Sequence, residues 1–125
     1  MAQRMLLIGL AGALGTLARY GLSDLIGRLA GGNLPWGTII VNIVGCFLFG
    51  LVWTLADERL VIDTETRLVV LGGFMGAFTT FSTFIFDTGG FVREAQWLLA
   101  GGNILLQTAS GLAFLFIGLS AGRAF

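Results

Sequence analysis

The chain has 125 residues, 56% of them hydrophobic and 11% charged, with seven basic residues balancing seven acidic ones, and a mean hydropathy of +0.92. So little polar surface cannot clothe a water-soluble globule of this size; the surrounding solvent is lipid, and with no basic face nucleic acid is excluded as a partner. Lys and His are absent and the one thiol, Cys46, sits in an apolar run, which removes thiolate zinc sites, imidazole bases and intrachain disulfides and argues against an enzyme.

Crossing about 30 Å of hydrocarbon takes roughly 20 apolar residues in a helix, because each backbone polar group must then bond within its own segment. Four stretches meet that demand, over about residues 4–27, 36–56, 68–91 and 97–122, so the expected architecture is an all-α integral membrane protein with residues 1–125 forming a single transmembrane domain. The first stretch opens on MAQR and stays apolar to Tyr20, longer than a signal-peptide core. Its Gly9, Gly12 and Gly15 suit close helix approach, the main source of association in lipid. Arg19 lies inside it, where an unpaired charge costs roughly 2.5 kcal/mol or more. Asp24 and Arg28 follow, so a charge ladder at the span end competes with a functional placement.

The connection AGGNLP leads to the second span, which carries Asn42 among Val41 and Ile43. Consecutive helices run antiparallel, so late Arg19 and early Asn42 fall at similar depth and can share one polar environment. The third span holds the densest signal, GGFMGAFTTFSTF over residues 72–84. Glycines and hydroxyls crowd its middle, where glycine lets the backbone deviate and Ser and Thr bond back to it, so a break is expected here. Unwound backbone at mid-depth must be buried or line a cavity, and its carbonyl oxygens suit a hard cation such as Na⁺. Phe78, Phe81 and Phe84 recur every three residues, a pattern that alone reads as a packing stripe. Beside Thr and Ser hydroxyls, however, their positive ring edges can hold a small anion without trapping it. In the fourth span Asn103, Gln107 and Ser110 share one helix face, with Thr108 adjacent, making a polar stripe that fits either interhelical hydrogen bonding or an ion track.

Four thin helices cannot enclose a wide pore, so any pathway is narrow or lies between protomers. An even helix number puts both termini on one side with Arg4, Arg59, Arg67 and Arg123, against Arg28 and Arg93 on the other. That weak bias is what insertion in both orientations requires.

The segments GALGTLARYG, WGTIIVNIVGCFLFG and GFMGAFTTFSTF resemble the Fluc (CrcB-type) fluoride channels, and the resemblance covers essentially the whole chain. It implies an antiparallel, dual-topology homodimer in a bacterial-type inner (plasma) membrane, exporting F⁻ passively through two narrow pores. By that resemblance Phe81 and Phe84 are the pore phenylalanines, Asn42 the pore asparagine, Thr80, Ser82 and Thr83 nearby hydroxyls, and Arg19 the vestibule arginine. Asn103, Gln107 and Ser110 fall in the region of the polar track, where relatives commonly carry Tyr and Ser. The family's structural Na⁺ on the dimer axis would be held by backbone carbonyls of Gly76 and Thr79. A small dual-topology drug/proton antiporter is the alternative of similar build, but it needs a titratable group at mid-depth. Asp24, Asp57, Glu58, Asp63, Glu65, Asp87 and Glu94 all fall at span ends or in connections. A non-transporting assembly subunit leaves the hydroxyl and phenylalanine cluster without a purpose.

Overall fold

The computed structural model describes residues Met1–Phe125, and the chain is helical almost throughout. Helix α1 spans Ala2–Leu29 and α2 spans Trp36–Trp53, continuing as a wider π-helical turn over Thr54–Glu58. A short α3, Thr64–Arg67, runs on through a π-helical stretch, Leu68–Met75, into α4, Gly76–Phe78; α5 covers Phe81–Arg93 and α6 Trp97–Ala124. These make four segments long and apolar enough to cross a membrane: Ala2–Leu29, Trp36–Glu58, Thr64–Arg93 and Trp97–Ala124. Each runs past the end expected from hydropathy alone, because a helix continues through the charged residues at the headgroup level until a cap stops it. The third begins earliest relative to expectation since Asp63 caps it, Oδ1 accepting from Thr66 N at 2.9 Å and Oδ2 from Thr66 Oγ1 at 2.7 Å.

Packing follows the small residues. Along the seam between α2 and α6, a Cβ on Gly118 would run into Phe47 O and one on Gly50 into Leu115 O, so the two backbones touch where side chains would normally separate them. Helix α1 meets the Leu68–Met75 stretch in the same way: Gly15 lies against Phe74 O, and a Cβ on Gly73 would stand 2.8 Å from Ile8 O. Between these seams sits a small apolar core of Val41, Leu71, Met75 and Phe78. Leu6, Leu14, Leu17, Leu105 and Phe116 all point outward, Leu105 at 70% exposure. Such a surface would drive aggregation in water and is the solvated face in lipid.

Ion pairs gather where the termini and the connection after α2 meet. Arg123 grips Glu58 with both Nε, at 2.7 Å, and Nη2, at 2.8 Å, Arg67 reaches Asp57 at 3.2 Å, and Arg4 stands 4.0 Å from Glu65. At the opposite end Arg28 pairs with Asp24 at 2.9 Å.

The third segment departs from helical dihedrals at two residues. Thr79 has φ −82°, ψ 155° and Thr80 φ −146°, ψ 112°, both extended. Gly76 is itself helical at φ −60°, ψ −32°, so the departure falls on the threonines and not on the glycines that the sequence draws attention to. Neither threonine needs positive φ, and Thr80 supplies a side-chain cap for α5 that glycine could not.

Candidate functional site

The two extended residues lie beside an open groove of about 390 Å³ whose wall includes Asn42, Thr79, Thr80, Phe81, Phe84 and Gln107. Helix α2 brings Asn42 to the link between α4 and α5 and holds it there on both sides. Its Oδ1 accepts from Thr80 N at 2.9 Å, and its Nδ2 donates to Thr80 O at 3.2 Å and to Gln107 Oε1 at 2.8 Å. Both hydrogens of that amide are therefore engaged within the protein, and Asn42 splints the link. Gly45, one turn on, makes room: a Cβ there would strike the Thr79 methyl.

The hydroxyls cluster tightly. Thr80 Oγ1 accepts from Thr83 N at 3.3 Å and donates to Thr83 Oγ1 at 3.0 Å, with Ser82 Oγ 3.4 Å away. Phe81 and Phe84 stand edge to face, centroids 5.8 Å apart and planes at 61°, the arrangement that turns a positive ring edge toward an electron-rich neighbour. Phe81 is 74% exposed, on a face that nothing in the chain covers.

Arg19 arrives from α1 on the other side of the same link, its Nε donating to Ala77 O at 3.1 Å. Arg19 and Asn42 thus meet one short piece of backbone from two helices, at Ala77 and Thr80. Asp24 pairs with Arg28 instead, which leaves the Arg19 charge without a carboxylate. Its side chain borders a separate recess of about 360 Å³ shared with Tyr20, Ser23 and Asp24.

Carbonyls around the link divide into two kinds. Ala77 O and Thr80 O take Arg19 and Asn42. For Gly76 O and Thr79 O, helical geometry would supply the amides four residues on, Thr80 N and Thr83 N. Those amides donate to Asn42 Oδ1 and Thr80 Oγ1, and no backbone amide of the link replaces them. Two oxygens left free of their helical donors are of the chemistry a hard cation such as Na⁺ takes, and they would supply two of the several oxygen ligands such an ion requires.

On α6 the polar stripe separates. Gln107 and Thr108 border the groove, whereas Ser110 donates to Leu106 O in its own helix. Asn103 is fully buried; its Oδ1 accepts from Gln107 Nε2 at 3.0 Å and its Nδ2 donates to Thr88 Oγ1 at 3.0 Å. Three participants carry no sequence signal as such: Thr88, a hydroxyl of α5 apart from the Thr80–Thr83 cluster, and Gly45 and Cys46, which line the groove.

The profile of the family described as CrcB-like protein, Camphor Resistance (CrcB), matches residues 6–119. The chain is 54% identical over 123 residues to a protein of Solidesulfovibrio magneticus named fluoride-specific ion channel FluC, with 98% of each chain covered. A protein of the same name from Nitrosococcus oceani is 53% identical over 123 residues, again covering 98% of each, and one from Leptospira interrogans is 36% identical over 118 residues, 94% of this chain and 93% of the relative. A profile match across all four membrane segments, joined to identity above half along almost the full length of both chains, establishes that this chain belongs to the CrcB family.

Proposed function

We propose that the chain is an ion channel and not an enzyme, one half of an antiparallel, dual-topology homodimer that lets fluoride leave the cell passively through two narrow pores and so lowers cytoplasmic fluoride. Residues 1–125 act as one channel domain, and the membrane is a bacterial-type inner (plasma) membrane. The observation that carries this reading is the name shared by relatives up to 54% identical over 98% of the chain, fluoride-specific ion channel FluC. The groove supports it physically. Its polar wall is built of hydroxyls, neutral amides and ring edges, with no carboxylate to repel an anion and no guanidinium to trap one. The exposed Phe81 edge leaves that wall open on one side, which a second protomer would close.

In this reading Arg19 draws the anion into the vestibule, since a charge unpaired by carboxylate raises local anion concentration. The ion then loses water against Thr80, Ser82 and Thr83 and passes the edges of Phe81 and Phe84, while Asn42 keeps the link in place. Gln107, on the groove wall and braced by Asn103 from the same helix, would belong to the track by which it is rehydrated. The carbonyls of Gly76 and Thr79 would hold Na⁺ where two copies meet, and the ion would supply fixed positive charge that offsets carbonyl repulsion.

The experiment is anion efflux from liposomes carrying the purified protein. F⁻ is expected to run down its gradient while Cl⁻, too large for a rigid narrow path, is excluded. Equal fluxes of the two would remove the selectivity, and strict dependence on a proton gradient would replace the channel with a transporter.

A further inference from the structure

The two extended residues of the link do more than interrupt a helix, for they sort its carbonyls by direction. A trans peptide group is planar, so its N–H and its C=O point to opposite sides. The peptide joining Thr79 to Thr80 presents its N–H to Asn42 Oδ1 at 2.9 Å. Thr79 O, on the other side of the same plane, is therefore aimed away from Asn42. The next carbonyl along, Thr80 O, turns the opposite way and accepts from Asn42 Nδ2 at 3.2 Å. Two extended residues in succession give this alternation, whereas a helix points every carbonyl the same way along its axis.

The rest of Thr79 is held independently. Its hydroxyl and its N–H both donate to Met75 O, at 3.0 and 3.1 Å. Its methyl lies where Gly45, one turn from Asn42 on α2, leaves room for it. The freedom that remains is a rotation of the peptide plane between Thr79 and Thr80, and Asn42 is the group that opposes it. Turning that plane over would set Thr79 O against Asn42 Oδ1, acceptor against acceptor. The Asn42 amide cannot rotate in answer, because its Nδ2 hydrogens are bound by Thr80 O and Gln107 Oε1. We propose that Asn42 is a positioning residue for the cation site: by holding Thr80 N–H it aims the Thr79 carbonyl away from α2, so that a side chain on the groove wall sets how well the released carbonyls hold Na⁺. The proposal rests on the Na⁺ part of the reading above and deepens it, since it joins the groove and the cation site through one peptide plane.

The test melts the purified full-length protein in micelles across a NaCl series in which N-methylglucamine chloride keeps the ionic strength constant. A ligand held by the folded protein alone raises its stability, so the native melting temperature is expected to climb with Na⁺. In Asn42→Ala the Na⁺ concentration at which the climb begins is expected to be about tenfold higher, the scale of the one hydrogen bond that holds the plane. Asn103→Leu is the comparison: it removes two side-chain bonds, to Thr88 and to Gln107, without touching Asn42 or Thr80. It should lower stability and keep the native Na⁺ response. Coupling between two sites is reciprocal, so in the native protein the Thr80 amide should exchange its hydrogen up to about tenfold more slowly in NaCl than in N-methylglucamine chloride. That measurement needs no variant and serves if Asn42→Ala fails to fold. A native Na⁺ response in folded Asn42→Ala would overturn the proposal and leave the Na⁺ site standing, as would an equal loss in Asn103→Leu, or a Thr80 amide indifferent to Na⁺ in a protein whose melt responds to it. A native melt indifferent to Na⁺ would overturn the site itself and the proposal with it.

Discussion

Replacing Asn42 by Ala should loosen the link between α4 and α5 more than any other single side-chain truncation near it. Three hydrogen bonds vanish together: Nδ2 to Thr80 O, Nδ2 to Gln107 Oε1, and Thr80 N to Oδ1. Interhelical bonds of this type in membrane proteins average about 0.6 kcal/mol each, because the unfolded chain also finds partners. Loss of the three therefore costs about 2 kcal/mol, and more where the orphaned Thr80 N–H stays out of reach of water, since a buried unpaired group costs about 1–3 kcal/mol. At about 1.4 kcal/mol per factor of ten, local opening becomes roughly 30-fold more frequent. Amide hydrogen exchange reads this directly: Thr80 N–H should exchange about 30-fold faster in Asn42→Ala, while the amides of α6 beyond Gly111 stay unchanged. Native exchange at Thr80 in the variant would refute the splint, for the amide would then owe its protection to something other than Asn42.

Gly118→Ala should destabilise the protein by about 1–3 kcal/mol in a chemical melt, because its Cβ meets Phe47 O. Gly101→Ala, with nothing within 4 Å of the added atom, should be neutral or stabilising by up to about 1 kcal/mol. Phe81→Ile and Phe84→Ile should each cut F⁻ efflux while leaving the protein folded, since Ile fills volume without a ring edge; normal efflux in both would make these rings plain packing. The backbone N–H and hydroxyl of Thr66 hold the Asp63 carboxyl below its ordinary value. A depressed carboxylate stabilises above its unfolded pKa of about 3.9 and loses that contribution as pH falls through the folded value. The first turn of α3 should accordingly fray only below about pH 4, seen as faster Thr66 amide exchange, with Asp63→Asn retaining part of the cap and removing the pH dependence.

Composition and hydropathy revealed the four membrane segments because lipid imposes a length and an apolar content that few other constraints mimic. They placed the starts at Trp36 and Trp97 and missed the other ends by two to four residues, since a helix end is decided by a cap such as Asp63 and not by where apolar residues stop. The approach of Arg19 and Asn42 was legible from antiparallel depth, and the structure brings them to Ala77 and Thr80. What depth could not supply was the partner, because both side chains bond main-chain atoms, which have no letter in the sequence. The stripe Asn103, Gln107, Ser110 was legible as polar but not as divided. Helical spacing gives one face, whereas burial depends on what packs there: α5 supplies Thr88 to Asn103, and Leu106 O turns Ser110 back on its own helix. Thr88 itself could not be found by spacing, because an isolated hydroxyl in a membrane helix commonly bonds its own carbonyl four residues back. It does so here, to Phe84 O, and the second bond that matters arrives from another helix.

Gly76 carries the sharpest difference between a residue type and its use. A glycine before a hydroxyl cluster suggests a backbone that must bend, yet its dihedrals are helical and an added Cβ would meet only Leu71 O at 3.7 Å. Neither conformation nor packing within the chain therefore demands glycine at this position. The bend that begins three residues later, at Thr79, is made by Asn42 and by Thr80, which capture the amides of Thr80 and Thr83 and so strip Gly76 O and Thr79 O of their helical donors. An exposed, bare backbone with carbonyls released from the helix is poorly suited to lipid, where each unpaired polar group costs several kcal/mol. Such a surface makes physical sense only when something polar meets it. The absence of a side chain at Gly76 and the released carbonyls are both features that the proposed contact with a second copy of the chain would use.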